Sequence, residues 1–208
     1  MEIVKPAFIS YDNYSIMDDG SLRDTYYPNL EDIRAAALRH NLPLWHITLG
    51  NAHFNYAEPT DASLRLQVYT SLAYGARGIT YFTYFTPTIG NYRMAAIDQF
   101  GHKTPKWDMM RRVNLQIHRL GMIYVKLKSV NVFHHPNVPE GCRGIDTSNY
   151  LAKVGSGDML VGEFEDPDGQ PFVMVVNKSM TKSTTLEVQF KNSGTIKMVN
   201  QYTGEIED

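Results

Sequence analysis

Cysteine is nearly missing from this chain: Cys142 is the single one in 208 residues. One thiol closes no intrachain disulfide, so an inert thiol is its expected state. Long apolar runs are missing as well, and no stretch approaches the ~20 apolar residues that a membrane-spanning helix needs. Nor is there an excess of positive charge, since 20 Lys and Arg face 22 Asp and Glu for a formal net charge of -2. The basic residues are dispersed, which leaves no electrostatic footprint for nucleic acid. Met1-Glu2-Ile3-Val4-Lys5 lacks the charged and apolar regions of a leader peptide, and with Met1 as the true start the chain is expected to be cytoplasmic. There is no low-complexity segment. What remains is an ordinary globular composition, 43% hydrophobic and 20% charged.

Within that composition the stretch from Pro59 to Pro87 is the most ordered. Thr60 or Asp61 supplies an N-cap oxygen, and Leu64, Val68 and Leu72 recur at helical spacing. Gly75 and Gly78 stop the helix, and Ile79 to Phe85 follows as a strand of β-branched and aromatic residues. An earlier copy of the unit runs from a short strand, Ala7 to Tyr11, through a helix over Leu30 to His40 capped by Asn29. It ends in the strand Leu42 to Gly50. A third helix opens at Thr104-Pro105, cap then proline, and carries Val113, Ile117 and Leu120 to Gly121. The order strand, helix, strand, helix, strand, helix predicts three consecutive βα units on a parallel sheet over residues 1–128.

From Ser129 onward helix formers thin out and short strands alternate with turn residues. Met159 to Phe164 and Phe172 to Val176 flank Asp166-Pro167-Asp168-Gly169, which predicts a hairpin. Leu186 to Phe190 and Thr195 to Val199 flank Lys191-Asn192-Ser193-Gly194, which predicts another. Residues 129–208 are therefore expected to form a small antiparallel, sandwich-like β domain.

Parallel sheets present ligands to their C-terminal strand ends. The residues expected there are Tyr11, Asp12, Asn13 and Tyr14, then Trp45, His46, Thr48, Asn51, His53 and Tyr56, then Tyr84. Aromatic rings mixed with amides, hydroxyls and imidazoles suit sugars, which offer apolar ring faces and hydroxyls together. Tyr11, Asp12, His46 and Tyr84 are expected to meet one ligand.

Several stretches resemble the last part of the catalytic barrel in β-galactosidase-like glycoside hydrolases of clan A. They are Ser10-Tyr11-Asp12-Asn13-Tyr14, Leu44-Trp45-His46-Ile47-Thr48, Gln67 through Ile79, and Tyr81-Phe82-Thr83-Tyr84. Ile97-Asp98 through Gly101-His102-Lys103-Thr104-Pro105 resembles the end of such barrels too, and the tail loosely resembles the β domain that follows them. The resemblance implies that the three strands are the sixth to eighth of a (β/α)8 barrel, a truncated barrel because a whole one takes ~250 residues. It implies hydrolysis or binding of β-linked galactosides or glucosides without a cofactor. The family nucleophile is a Glu at the end of the seventh strand, whereas Leu44 to Gly50 contains no carboxylate and His46 or Thr48 stands there instead.

The remaining candidates for catalysis are therefore Asp12, Glu58 and His46. Glu58 precedes a helix, where a negative charge is favourable in any case, and Asp98 could equally cap a turn. His46 and His53 with Asp12 could in principle ligate a divalent ion, but no tight metal spacing supports it, and no metal is expected. His134-His135 is expected on a solvated loop, and Asp166 to Gly169 reads as a β-turn rather than a calcium loop. Three functions are open at this level: a glycosidase with a rearranged site, a non-catalytic carbohydrate-binding relic, or a structural piece completed by a partner chain. Three parallel strands cannot close a barrel. The inner faces built from Phe8, Trp45, Ile47, Tyr81 and Phe85 then favour a homo-oligomer.

Overall fold

The computed structural model describes residues 4–207, so the leader reading of residues 1–5 falls partly outside the described residues. The chain is a mixed α/β structure. Its first part runs β1 (Ile9–Asp12), α1 (Tyr26–His40), β2 (Leu44–Leu49), α2 (Asp61–Ala73), β3 (Gly78–Phe82) and α3 (Pro105–Tyr124). The strands pair in parallel in the order β1-β2-β3, with Tyr11 opposite His46 and Thr48 opposite Tyr81. This sheet is open; no closed barrel forms among the described residues.

Local chemistry sets the helix ends. Thr60 Oγ1 accepts from the Ser63 amide at 3.1 Å and Ser63 Oγ accepts from the Thr60 amide at 2.8 Å, a reciprocal cap that starts α2. Thr104 Oγ1 accepts from the Lys106 amide at 3.1 Å ahead of Pro105, as the sequence order predicted. Helix α1 differs from expectation. It begins a turn earlier, at Tyr26, and Asn29 sits inside it with its amide donating to the Thr25 carbonyl at 2.7 Å. The burial of Tyr26 and Tyr27 in the core outweighs the Asn29 cap signal.

Strand alternation sorts the side chains of the parallel sheet. Ile9, Tyr11, Leu44, His46, Ile79 and Tyr81 point to the helices. Phe8, Asp12, Trp45, Ile47, Thr80 and Phe82 belong to the opposite face. There Trp45 lies flat across Gly78, so close that a Cβ on that residue would fall 2.4 Å from the ring. Tyr81 therefore leaves the predicted inner face for the helix side. Phe85 lies beyond the end of β3, because the chain turns away after Phe82 and the strand is shorter than the aromatic run suggests.

The second part is antiparallel. β4 (Lys128–His135), β6 (Met159–Glu165) and β7 (Pro171–Asn177) form one sheet in the order β4-β6-β7, and β5 (Leu151–Gly155) pairs with β8 (Glu187–Phe190). The two sheets share a core of Phe133, Leu151, Val154, Met159 and Val161. The β6–β7 hairpin turns at Asp166 to Gly169 as predicted. The second predicted hairpin does not form. β8 pairs with the distant β5, while β9 (Met198–Val199) pairs with β10 (Ile206–Glu207). β4 was not anticipated as a strand, and it carries His134, which is fully buried rather than on a solvated loop.

Helix α2 is buried on nearly every side. Its Leu66 and Ala73 join Tyr26, Leu30, Val132, Leu160 and Val176 in one core, and Val68 and Leu72 join Val113, Tyr124 and Phe164 in another. β6 passes α2 so closely that a Cβ at Gly162 would stand 2.4 Å from the Ala73 carbonyl oxygen. Tyr124 of α3 donates to the Leu72 carbonyl at 2.7 Å and the Ala76 carbonyl at 3.0 Å, capping the end of α2. Among the described residues no helix is long and apolar enough to cross a membrane.

Candidate functional site

The C-terminal ends of β1, β2 and β3 converge on an aromatic cluster centred on His53. Tyr14, just beyond β1, stacks on Phe82 at the end of β3, with ring centroids 5.4 Å apart. Tyr14, Phe54, Tyr56, Phe82 and Tyr92 all lie within 5.5 Å of the His53 ring centroid. Tyr92 is stacked on the imidazole at an 18° interplanar angle.

Two connections bring these rings together. The loop after β3 folds back onto the loop after β2 through paired backbone bonds between Ala52 and Arg93, at 3.0 and 3.1 Å. Asn91 accepts from the Phe54 amide at 2.8 Å and donates to the Phe54 carbonyl at 3.1 Å.

Polar groups interleave with the rings. His53 Nδ1 lies 3.2 Å from the Asn51 carbonyl; with the proton on Nδ1, Nε2 is an acceptor. Burial pushes the His53 pKa below its ordinary value, which keeps the ring neutral at pH 7. Asn51 is fully buried, accepts from the Thr83 amide at 3.2 Å, and has no partner for its Nδ2. The peptide between Phe82 and Thr83 is cis. The Arg23 guanidinium lies 5.2 Å above the Tyr56 ring. Asp12 ends β1 exposed to solvent. Burial, and then the Asp12 charge, hold the Tyr14 phenol well above its usual pKa.

The other predicted site residues separate by face. His46 is fully buried on the helix side, with Nδ1 2.6 Å from Ser71 Oγ and no partner at Nε2. Burial drops its pKa to about 4. Tyr11 stacks on it at 5.3 Å, and burial pushes the phenol up to about 12. Asp12 is one residue further along β1, so alternation turns it away from both. The expectation that Tyr11, Asp12 and His46 meet one ligand fails for that reason.

Thr48 is fully buried and donates to the Thr80 carbonyl at 2.9 Å. Asn13 accepts from Ser15 at 2.6 Å within its own loop. Trp45 lies near the start of its strand, stacked on Phe8 at 4.7 Å, away from the C-terminal ends. Glu58 is held by Lys106 at 2.8 Å, an ion pair at the start of α3 that accounts for its charge structurally. Asp98 caps a turn by accepting from the Phe100 and His102 amides. Asp166 does the same for Asp168 and Gln170, so the Asp166–Gly169 segment is a β-turn. Tyr84 is exposed beyond β3 and borders a separate recess.

Sequence reading placed Tyr14, Asn51, His53 and Tyr56 at this end of the sheet and had Phe82 on the third strand, but missed Arg23, Phe54 and Tyr92. The signal for Tyr92 was the length of the segment between β3 and α3, whose residues from Pro87 to Ala96 had no assigned role. Of the three predicted catalytic residues, Asp12 is the one both at a strand end and free of a salt bridge among the described residues. No group of three or more metal-ligating side chains occurs among the described residues. Compared with protein-family models and with curated proteins, the chain matches none of them.

Proposed function

We propose that the chain is a carbohydrate-active module of glycoside-hydrolase type that binds β-linked galactosides or glucosides at the C-terminal ends of β1 to β3. In this reading the three βα units are the last three of a barrel of the clan A kind. The observation that carries it is the His53 cluster: rings from three separate loops, with the Asp12 carboxylate, the unpartnered Asn51 amide and the Arg23 guanidinium beside them. Sugar rings stack on aromatic faces while their hydroxyls take such polar groups. Binding is better supported than hydrolysis, because retaining chemistry needs two carboxyl groups about 5–5.5 Å apart and Glu58 is occupied by Lys106.

The test is titration with methyl β-galactoside, methyl β-glucoside and short β-linked oligosaccharides, followed by amide chemical shifts. Shifts should concentrate at Tyr14, Asn51, His53 and Tyr92. Tyr92→Ala should weaken binding about tenfold, the value of one good aromatic contact. Unchanged shifts at high sugar concentration would remove the reading. Release of nitrophenol from aryl glycosides, abolished by Asp12→Asn, would extend it from binding to hydrolysis.

A second reading, a piece completed by another copy of the chain, has its own support. β1 and β3 each have one paired neighbour among the described residues. Phe8 and Trp45 are 40% and 38% exposed on the uncovered face. A homo-oligomer would cover both, and light scattering at low micromolar concentration distinguishes it from a monomer.

A further inference from the structure

Beyond β3 a second feature stands apart from the His53 cluster. Tyr84, Trp107, Met110, Arg111, Asn114 and Leu115 line a recess of about 270 Å3 between the loop after β3 and the outer face of α3. It is smaller than a site for an extended ligand and has room for about one ring. Trp107, Arg111 and Asn114 recur at helical spacing on α3, so one rigid element presents all three.

Apart from the edges of Tyr84 and Trp107, which carry a hydroxyl and an indole N–H, the lining is apolar except at Asn114 and Arg111, and both offer donors. Asn114 Oδ1 accepts from the Tyr81 hydroxyl at 2.7 Å, which fixes the amide and leaves its Nδ2 hydrogens to donate. Arg111 has no carboxylate within ion-pair distance among the described residues, whereas the adjacent Arg112 is paired with Asp61 at 3.1 Å. A second positive charge adjoins the recess: the Lys103 ammonium sits 3.6 Å from the Trp107 ring centroid. Asp108, the nearest acid in sequence on α3, is not among the lining residues. The recess therefore combines aromatic surface, a fixed amide donor and an unpaired guanidinium, with no negative charge lining it.

We propose that this recess binds the ring of an acidic sugar, a hexuronate, with its carboxylate on Arg111 and its ring against Tyr84 and Trp107. A guanidinium takes a carboxylate in a two-pronged, charge-assisted contact, and the Asn114 amide supplies a donor for a ring hydroxyl. A neutral hexose fills the same space but leaves Arg111 unmatched. The proposal rests on the carbohydrate reading above and narrows the ligand class at a neighbouring position.

The test is titration of the full chain with glucuronate, galacturonate, glucose, galactose and acetate. The Trp107 indole N–H resonance, assigned with Trp107→Phe, is the readout. Both uronates should shift it with affinity about tenfold or more above the neutral sugars and above acetate. Arg111→Gln, an exposed helical substitution that leaves the core untouched, should bring the uronates down to the neutral level and remove their salt dependence. Equal binding of acidic and neutral sugars, an equal effect of acetate, or an unmoved Trp107 signal would each overturn the proposal. If neutral sugars shift Tyr14 and His53 while the uronates leave Trp107 unmoved, this proposal fails and the functional reading stands. If no sugar shifts either region, both fail.

Discussion

Glu163 in the antiparallel part and Asn51 in the parallel part are buried polar side chains treated in opposite ways, although each part holds groups of both kinds: Asn131 Oδ1 beside Glu163 has no partner, and Gln67 near Asn51 is fully engaged. In the antiparallel part Glu163 of β6 is fully buried, yet both its oxygens are satisfied. Ser148 Oγ donates at 2.6 Å, the Asn149 and Tyr150 amides at 2.9 and 3.1 Å, and Asn131 Nδ2 at 3.2 Å. A carboxylate saturated this way pins the loop before β5 to the centre of the sheet and has nothing left to offer a ligand. In the parallel part, Asn51 Nδ2 and His46 Nε2 are equally buried and have no partner. Unpaired buried donors and acceptors cost stability, so Asn51 and His46 retain polar capacity at the expense of stability.

The hardest test of that contrast is Glu163→Ala. It strands four donors at once and should cost about 3–5 kcal/mol, read from urea unfolding. A loss below about 1 kcal/mol would mean that Glu163 is no more structural than Asn51, and the contrast would collapse.

A pH series comes next in size and compares the halves directly, because each contains a buried histidine. Burial lowers His46 to about 4, and burial followed by the Lys178 charge lowers His134 to about 3. The unfolded chain binds these protons near pH 6.5 and the folded chain does not. Stability is therefore complete above pH 6.5 and is lost as pH falls through the window down to each folded pKa. For His46 the loss approaches ~3 kcal/mol by pH 4. His46→Leu should flatten part of the acid limb at little cost to stability at pH 7: it removes the unpartnered Nε2 together with the contact to Ser71, whose hydroxyl still donates to the Gln67 carbonyl at 2.6 Å. His134→Leu should also flatten it but cost stability at pH 7, because Tyr74 would lose its 3.0 Å partner at His134 Nε2. Identical behaviour of the two variants would remove the difference between the halves at this level.

The smallest effect is expected on the surface. Asp61→Asn breaks the exposed pair with Arg112 and should change stability by less than about 0.5 kcal/mol by thermal unfolding. A larger change would show that the helix starts contribute more to the difference than the buried groups do.

Much of the fold was legible because its signals are local. Thr60 and the Thr104-Pro105 pair stop the chain where their side chains bond the next amides, and the Asp166–Gly169 turn closes on itself. What was misread depends on distant partners. β8 pairs with β5 from nearly 40 residues away, and no nearest-neighbour pattern distinguishes that from a hairpin with the following segment. His134 was expected to be solvated as half of a lone His-His dipeptide on a loop, yet Tyr27 of α1 and Tyr74 at the end of α2 enclose it. The site was half visible for the same reason. Tyr14, His53 and Tyr56 follow predicted strand ends, but Tyr92 joins them through a backbone pairing that periodicity cannot reveal. The same alternation that announces a strand sends Asp12 and His46 to opposite sides, which a list of strand-end residues overlooks.

Helix α2 carries one last implication, for autonomy. It is wedged between the parallel sheet and the β4-β6-β7 sheet, and Gly162 lets the second sheet approach to the distance of a backbone carbonyl. Each part of the chain thus supplies one wall of the other's interior. Severed near Lys128, the first part would turn Leu66 and Ala73 toward water and the second would bare Val132 and Leu160. The boundary that composition draws there marks a change of architecture rather than a place where the molecule comes apart.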